Sequence, residues 1–195
     1  VMSETEQQPL EGTTVGIFLA QEGSEEVEFT EPREAVTDAG ATVDVLGSET
    51  GEGETVNNDL EWSDSYEIER TFDEVSADEY DAGGADTLRT NEAAVDLVRT
   101  HLSDGKPIGV ICHGPWVLVE ADVVDGRTLT SYHSLETDVR NAGGEWVDEE
   151  VVTDGGLVID LRRMNAVTVD PEERTARVGG GATMSDLDRA TEPYG

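Results

Sequence analysis

Three consecutive segments near the start of the chain restrict its fold more than any other feature. They are an apolar run from Thr14 to Ala20, a helix-length stretch from Val27 to Ala39 closed by Gly40, and a second apolar run from Thr42 to Leu46. Read as strand, helix and strand, they form a βαβ unit, whose crossover returns the chain parallel to its first strand. An α/β architecture with a mainly parallel sheet follows. The alternation continues. Asn91 to Ser103 places Ala94, Val95, Val98 and Leu102 on one helical face and stops at Asp104-Gly105. Leu129 to Ser131 reads as a strand, Ser134 to Ala142 as a helix closed by Gly143-Gly144, and Val151-Val152 with Leu157 to Ile159 as a hairpin. Gly47 to Glu69 is polar and turn-rich, a loop or hairpin carrying Trp62.

The segment that carries chemistry is PIGVICHGPWVL, Pro107 to Leu118. Ile108, Val110 and Ile111 form a short β-branched run suited to a buried strand, and Cys112 stands where it ends. Val117, Leu118, Ala121 and Val123 then recur at helical spacing, with Pro115 at a first helical position. The thiol therefore faces a helix start, where unpaired N–H groups and the adjacent His113 favour the thiolate. This is the arrangement of a nucleophile elbow with cysteine in place of serine. On spacing alone, a buried structural cysteine fits as well as an activated one. The succession of strand, Cys-His, Gly-Pro and helix favours function.

Val110-Ile111-Cys112-His113-Gly114-Pro115-Trp116 resembles the hallmark of the ThiJ/PfpI family of intracellular cysteine hydrolases. The resemblance extends from VGIFLAQEGSEEVEFTEPREAVTDAGATVDVL to LTSYHSLETDVRNAGGEWVDEEVVTDGGLV, and it is closest to the PfpI-type branch. It implies a flavodoxin-like sandwich of the class I glutamine amidotransferase-like type, a homo-oligomer, and peptidase, glyoxalase or deglycase activity. It implies site roles for Cys112 as nucleophile, His113 as its partner and Glu28, in SEEVEF, as the acid that contacts the thiol. Asp86, in GGADTLR, is the nearest match to a third acid that reaches the site from a neighbouring subunit in PfpI-type assemblies. The backbone N–H groups of Gly84 and His113 are the implied oxyanion donors.

Two departures from the family pattern stand out. Between Asp81-Ala82 and Gly83-Gly84 the family's apolar strand is missing, so one core strand is expected to be absent, leaving a gap unless another segment fills it. From about Gly156 the family's closing helix is also missing. Residues 157–195, GLVIDLRRMNAVTVDPEERTARVGGGATMSDLDRATEPYG with its preceding glycine, resemble instead a fragment of an FAD-linked oxidase of the berberine-bridge or vanillyl-alcohol oxidase type. The FAD-cradling loop that precedes this phrase in such oxidases has no counterpart here, so no flavin is expected. Gly179-Gly180-Gly181 reads as a turn before a helix from Met184 to Ala190. The expected organisation is a flexible acidic tail over 1–12, a ThiJ/PfpI-like domain over 13–158 and an oxidase-like fragment, joined by gene fusion, over 159–195.

Composition bounds the setting. Acidic residues number 45 against 12 basic ones, a formal net charge of -33, and Lys106 is the sole lysine. The acids are dispersed along the chain rather than gathered in one block, as in proteins of salt-in halophiles. Nucleic-acid and anionic-membrane partners are disfavoured by the lack of a basic patch. No apolar run approaches the ~20 residues a membrane span needs, and the opening residues lack the pattern of a secretion signal. One cysteine excludes an internal disulfide, which fits a reducing cytoplasm.

His101 is expected to be surface or partner-facing, His133 to be a poor candidate proton carrier, and Trp116 and Trp146 to be core residues. No His, Cys or carboxylate group has metal-ligand spacing. The leading function is a cysteine hydrolase or hydratase acting on a small carbonyl or peptide substrate without cofactor. The alternatives are a non-catalytic stress or redox-responsive protein and an inactive fusion remnant.

Overall fold

The computed structural model describes residues 8–57, 61–80, 82–85, 88–149, 151–154, 157–160, 167–171, 175–178 and 189–194. The opening βαβ unit forms as read: β1 (Thr14–Phe18) pairs in parallel with β3 (Thr42–Gly47) across helix α1 (Glu26–Asp38). A short strand, β2 (Glu22–Glu25), precedes the helix. The polar stretch that follows is a hairpin of β4 (Gly51–Asn57) and β5 (Glu61–Ile68), and β4 also pairs with β2. The hairpin is tied to the start of α1. The Glu26 carboxylate accepts hydrogen bonds from Ser63 Oγ at 2.6 Å, Tyr66 OH at 2.8 Å and Asn57 Nδ2 at 3.2 Å. These donors, Ser63 first, hold the Glu26 carboxyl below the usual carboxylate range. Burial, then the bond to Glu26, pushes the Tyr66 phenol up to about 12.

Beyond β6 (Arg70–Thr71) and β7 (Ala82–Ala85), helix α2 (Glu92–Ser103) is capped by Asn91, whose side chain accepts from Ala94 N. It leads to β8 (Ile108–Val110), α3 (Pro115–Glu120), β9 (Thr128–Leu129), α4 (Glu136–Asn141) and β10 (Glu145–Trp146). An antiparallel pair, β11 (Val151–Asp154) and β12 (Leu157–Asp160), completes the main sheet, and β13 (Val167–Asp170) with β14 (Thr175–Val178) forms a separate hairpin.

The seven-stranded sheet has the order β11-β12-β8-β7-β1-β3-β6. Alternation along β1 and β3 divides the core. Val15, Ile17 and Val45 pack with Phe29 of α1, while Leu46 joins Phe72, Tyr80, Leu88 and Ala94 of α2, with Phe18 against them. Val95, Val98 and Leu102 of α2 pack with Ile108 and Val110 of β8 and with Val117 and Leu118 of α3. Helices thus cover both faces of the sheet.

The expected gap in the sheet is closed. Ala82-Gly83-Gly84-Ala85 is itself the strand between β1 and β8, with Gly83 opposite Gly16 and Ile108, and Gly84 opposite Ile17 and Gly109. The physical reason is that two buried neighbours with open ladders recruit any extended segment in reach, even one with two glycines and hence little side chain to pack. Glycines also suit the crowding here: a Cβ on Gly16 would lie 3.1 Å from Leu46 Cδ1 and 3.3 Å from Tyr80 Cδ1. Lysine and tyrosine tie the incoming chain down. Lys106 Nζ donates to the carbonyls of Ala77 at 2.8 Å and Tyr80 at 2.7 Å, and Tyr80 OH donates to Asp44 at 3.0 Å.

The boundary drawn between 158 and 159 falls inside β12, whose register with β8 runs from Leu157–Ile108 to Ile159–Val110. Residues on both sides of it therefore belong to one strand of the main sheet. The glycine run 179–181 and most of the helix expected from Met184 lie outside the described residues.

Candidate active site

Strand β8 ends at Val110, and two residues later Cys112 adopts φ +53°, a left-handed backbone conformation that a residue with a Cβ rarely takes. Such a residue costs on the order of 1–3 kcal/mol and persists only where its surroundings enforce it. Three backbone bonds do so. Gly114 N–H donates to Ile111 O at 2.7 Å, Trp116 N–H to His113 O at 3.0 Å, and Tyr132 N–H to the Cys112 carbonyl at 2.9 Å. Pro115 occupies the first turn of α3, as its spacing predicts. The turn has the backbone shape of an elbow at the carboxyl end of a parallel strand, where open α/β sheets place their sites.

The Cys112 thiol is buried, 7 % exposed, with Sγ 3.2 Å from His113 Nδ1. On the other side of the ring, His113 Nε2 lies 3.4 Å from Ser134 Oγ. The imidazole is flanked by two aromatic rings, Tyr132 at 4.6 Å and Trp116 at 5.3 Å between centroids. These rings are themselves secured. Trp116 Nε1 donates to Asp138 Oδ2 at 2.8 Å, and the Arg89 guanidinium lies 5.4 Å above the Trp116 ring while pairing with Glu120 at 3.4 Å. Trp146 Nε1 donates to Ser131 Oγ at 2.9 Å and holds the strand end beneath Tyr132. Trp146 is partly buried against the core around α2 and β8, as expected, but Trp116 is a wall of the histidine pocket rather than a core residue. Ser134 and Tyr132 escaped sequence reasoning. Their only signal is the polar run TSYHS after a short strand, which by itself has no address on Cys112.

Glu28 lies half-buried in the first turn of α1, at the carboxyl-terminal edge of β1 and on the same edge of the sheet as the elbow. Pro32 within this helix has no N–H, so the Glu28 carbonyl receives no hydrogen bond from it. Gly84 lies within β7, paired on both sides and level with Gly109, three residues before the thiol. Its backbone belongs to the sheet ladder. Asp86 lies outside the described residues. His133 is exposed, its ring 5.8 Å from Trp146. His101 also departs from expectation: it is 5 % exposed and packed inside, not on the surface. Its Nε2 has no hydrogen-bond partner, and burial, followed by the charge of Lys106, pushes its imidazole below the usual value. Among the described residues no group of three His, Cys, Asp or Glu is placed to hold a metal ion, and no helix is long and apolar enough to cross a membrane.

A parallel α/β sandwich with a cysteine elbow beside a histidine defines the flavodoxin-like, class I glutamine amidotransferase-like class. The family model for the DJ-1/PfpI family matches residues 13–159, and the chain belongs to that family. It is 39 % identical over 153 residues to Deglycase TK1284 of Thermococcus kodakarensis, covering 73 % of this chain and 86 % of that protein. It is equally 39 % identical, over 148 residues, to Deglycase PfpI of Pyrococcus furiosus, with the same 73 % and 86 % covered. Among solved structures, a two-domain protein from Anabaena variabilis with DJ-1/ThiJ/PfpI-like and ferritin-like domains superposes with a TM-score of 0.70 at 31 % identity. That match covers 76 % of this chain and 43 % of the longer one.

Proposed function

We propose that this chain is a cysteine-dependent hydrolase or hydratase of small carbonyl or acyl compounds, in the manner of the deglycases it resembles. The observation that carries the reading is the Cys112 thiol at a left-handed elbow with His113 Nδ1 at 3.2 Å. The thiol proton passes to Nδ1, and the sulfur attacks the substrate's carbonyl carbon. The C=O π pair moves to oxygen, which becomes an oxyanion. With Gly84 committed to the sheet, the His113 amide, the first after the nucleophile, is the donor for that oxyanion. Glu28, in its protonated form, hydrogen-bonds the oxyanion and keeps its proton as the C=O re-forms. With an acyl substrate that collapse breaks the bond to the leaving group, which departs with the proton held by His113 and leaves a thioester on Cys112. His113 then takes a proton from water as the water oxygen attacks the thioester carbon, and the second collapse breaks the C–S bond, the proton on His113 returning to sulfur as the acid leaves. These steps need no cofactor.

In this reading a net charge of -33 favours a salt-rich cytoplasm as the working medium, and the likeness to PfpI-type proteins a homo-oligomer as the working form. The test is the pH dependence of Cys112 alkylation by iodoacetamide in molar potassium chloride, folded against guanidinium-unfolded. A folded midpoint at least about one unit below the ~8.5 of a free thiol is expected. Methylglyoxal turnover is expected to vanish in Cys112→Ala. Equal midpoints, or full turnover in the variant, would overturn the reading.

A further inference from the structure

We propose that Ser134 is the positioning residue of the Cys112–His113 pair, holding the imidazole in the tautomer that leaves Nδ1 open to the thiol proton. The inference rests on the reading of Cys112 as a nucleophile. A neutral imidazole carries one N–H, and the partner of one nitrogen decides the state of the other. Nδ1 faces sulfur at 3.2 Å and Nε2 faces Ser134 Oγ at 3.4 Å. With the ring proton on Nε2, donated to Ser134 Oγ, Nδ1 offers its lone pair to the thiol S–H. Once that proton has moved, Nε2 keeps its N–H, the ring is an imidazolium, and the hydroxyl oxygen still accepts. Ser134 therefore serves both states, and its own O–H turns towards solvent.

The fold supplies the alignment. Ser134 sits in a short 3-10 turn, His133–Leu135, anchored by Leu135, which is fully buried and whose N–H donates to Tyr132 O at 3.0 Å. Tyr132 N–H in turn donates to the Cys112 carbonyl at 2.9 Å, so the elbow and the serine share one backbone register. The Tyr132 and Trp116 rings prevent the imidazole from swinging away from that line. Among the described residues the charged or titratable groups near the pair are Arg89, over the Trp116 ring and paired with Glu120, Asp138, bonded to Trp116, Tyr132 and His133, and Glu28 on the same edge of the sheet. A change at Ser134 leaves each of them in place.

The experiment compares wild type, Ser134→Ala and Ser134→Thr by nitrogen NMR of the histidine rings and by the alkylation profile of Cys112. Wild type and Ser134→Thr should hold the Nε2–H tautomer. Ser134→Ala should spread the proton over both nitrogens and raise the alkylation midpoint by roughly half a pH unit, about threefold in thiolate population below the midpoint. A Ser134→Ala spectrum and profile superimposable on wild type would overturn the proposal. If the wild-type midpoint matched that of the unfolded thiol, the enzymatic reading would fail. The ring spectra would still decide the serine, a changed tautomer supporting its role and an unchanged one overturning it. The side chain is exposed, so near-UV circular dichroism of the alanine variant should match wild type.

Discussion

His113 follows β8 on the elbow turn, whereas His101 precedes that strand, near the end of α2. His113 is half-buried, has a partner at each ring nitrogen and lies between two aromatic rings. His101 is only 5 % exposed, and its Nε2 has no partner. At His101, burial and then the charge of Lys106 outweigh the backbone groups of Ala77 and Pro107 and the charge of Asp104, which favour the proton, so the charged ring is disfavoured. Partners on both nitrogens are what allow a ring to take up a proton and pass it on.

Replacing His113 by Phe would probe the contrast most severely, since it keeps the ring stack and removes both nitrogens. Cys112 alkylation at neutral pH is expected to slow by about 100-fold. A rate within a factor of two of wild type would show that the ring merely packs. Next in size is Lys106→Met, which deletes the donor to Ala77 O and Tyr80 O beneath the glycine strand. A loss of about 2 kcal/mol in urea unfolding is expected, with no change in the alkylation profile of the thiol. It should also let the His101 imidazole rise towards its ordinary value, since the Lys106 charge is the second cause of its depression.

The smallest effect belongs to His101→Phe. In the folded wild type the imidazole takes up a proton less readily than in the unfolded chain, where it protonates near its ordinary value of 6.5. Its contribution to stability is therefore complete above that value and falls as pH drops through it towards the lower folded value. Phenylalanine removes this component, so the difference in urea midpoint between pH 8 and pH 5 should narrow relative to wild type. An unaltered difference would mean that His101 protonates as easily inside as outside. Turnover at pH 8 tests the other side of the contrast and should be preserved.

Much of the fold was legible along the chain. The spacing predicts a helix over Val27 to Ala39, which forms as α1 over Glu26–Asp38, and a helix from Asn91, which is the cap of α2. These elements are legible because caps, glycine stops and apolar spacing act within a few residues. The helix from Ser134 instead begins with a 3-10 turn at His133–Leu135 before α4. Buried Leu135 and the bond to Tyr132 tighten that first turn, an outcome decided by what it packs against. His101 was misplaced for a similar reason. It follows Leu97 and Val98 on a helix whose apolar face is broader than four residues suggest, and only the docking of Ala77 and Lys106 shows that its side is covered. Ser134 was invisible because its partner stands twenty-one residues earlier in the chain.

The βαβ order, the elbow at Cys112 and the place of His113 beside it are written in the local pattern of the chain, since each depends on apolar period, a proline and glycines acting within a few residues. Long-range packing sets Ala82–Ala85 in the open place in the sheet, gathers Tyr132, Trp116 and Ser134 around the imidazole, and takes His101 inside. Those outcomes depend on strand register and packing between segments distant in the chain, where the energy of a contact exists only after both sides have been brought together.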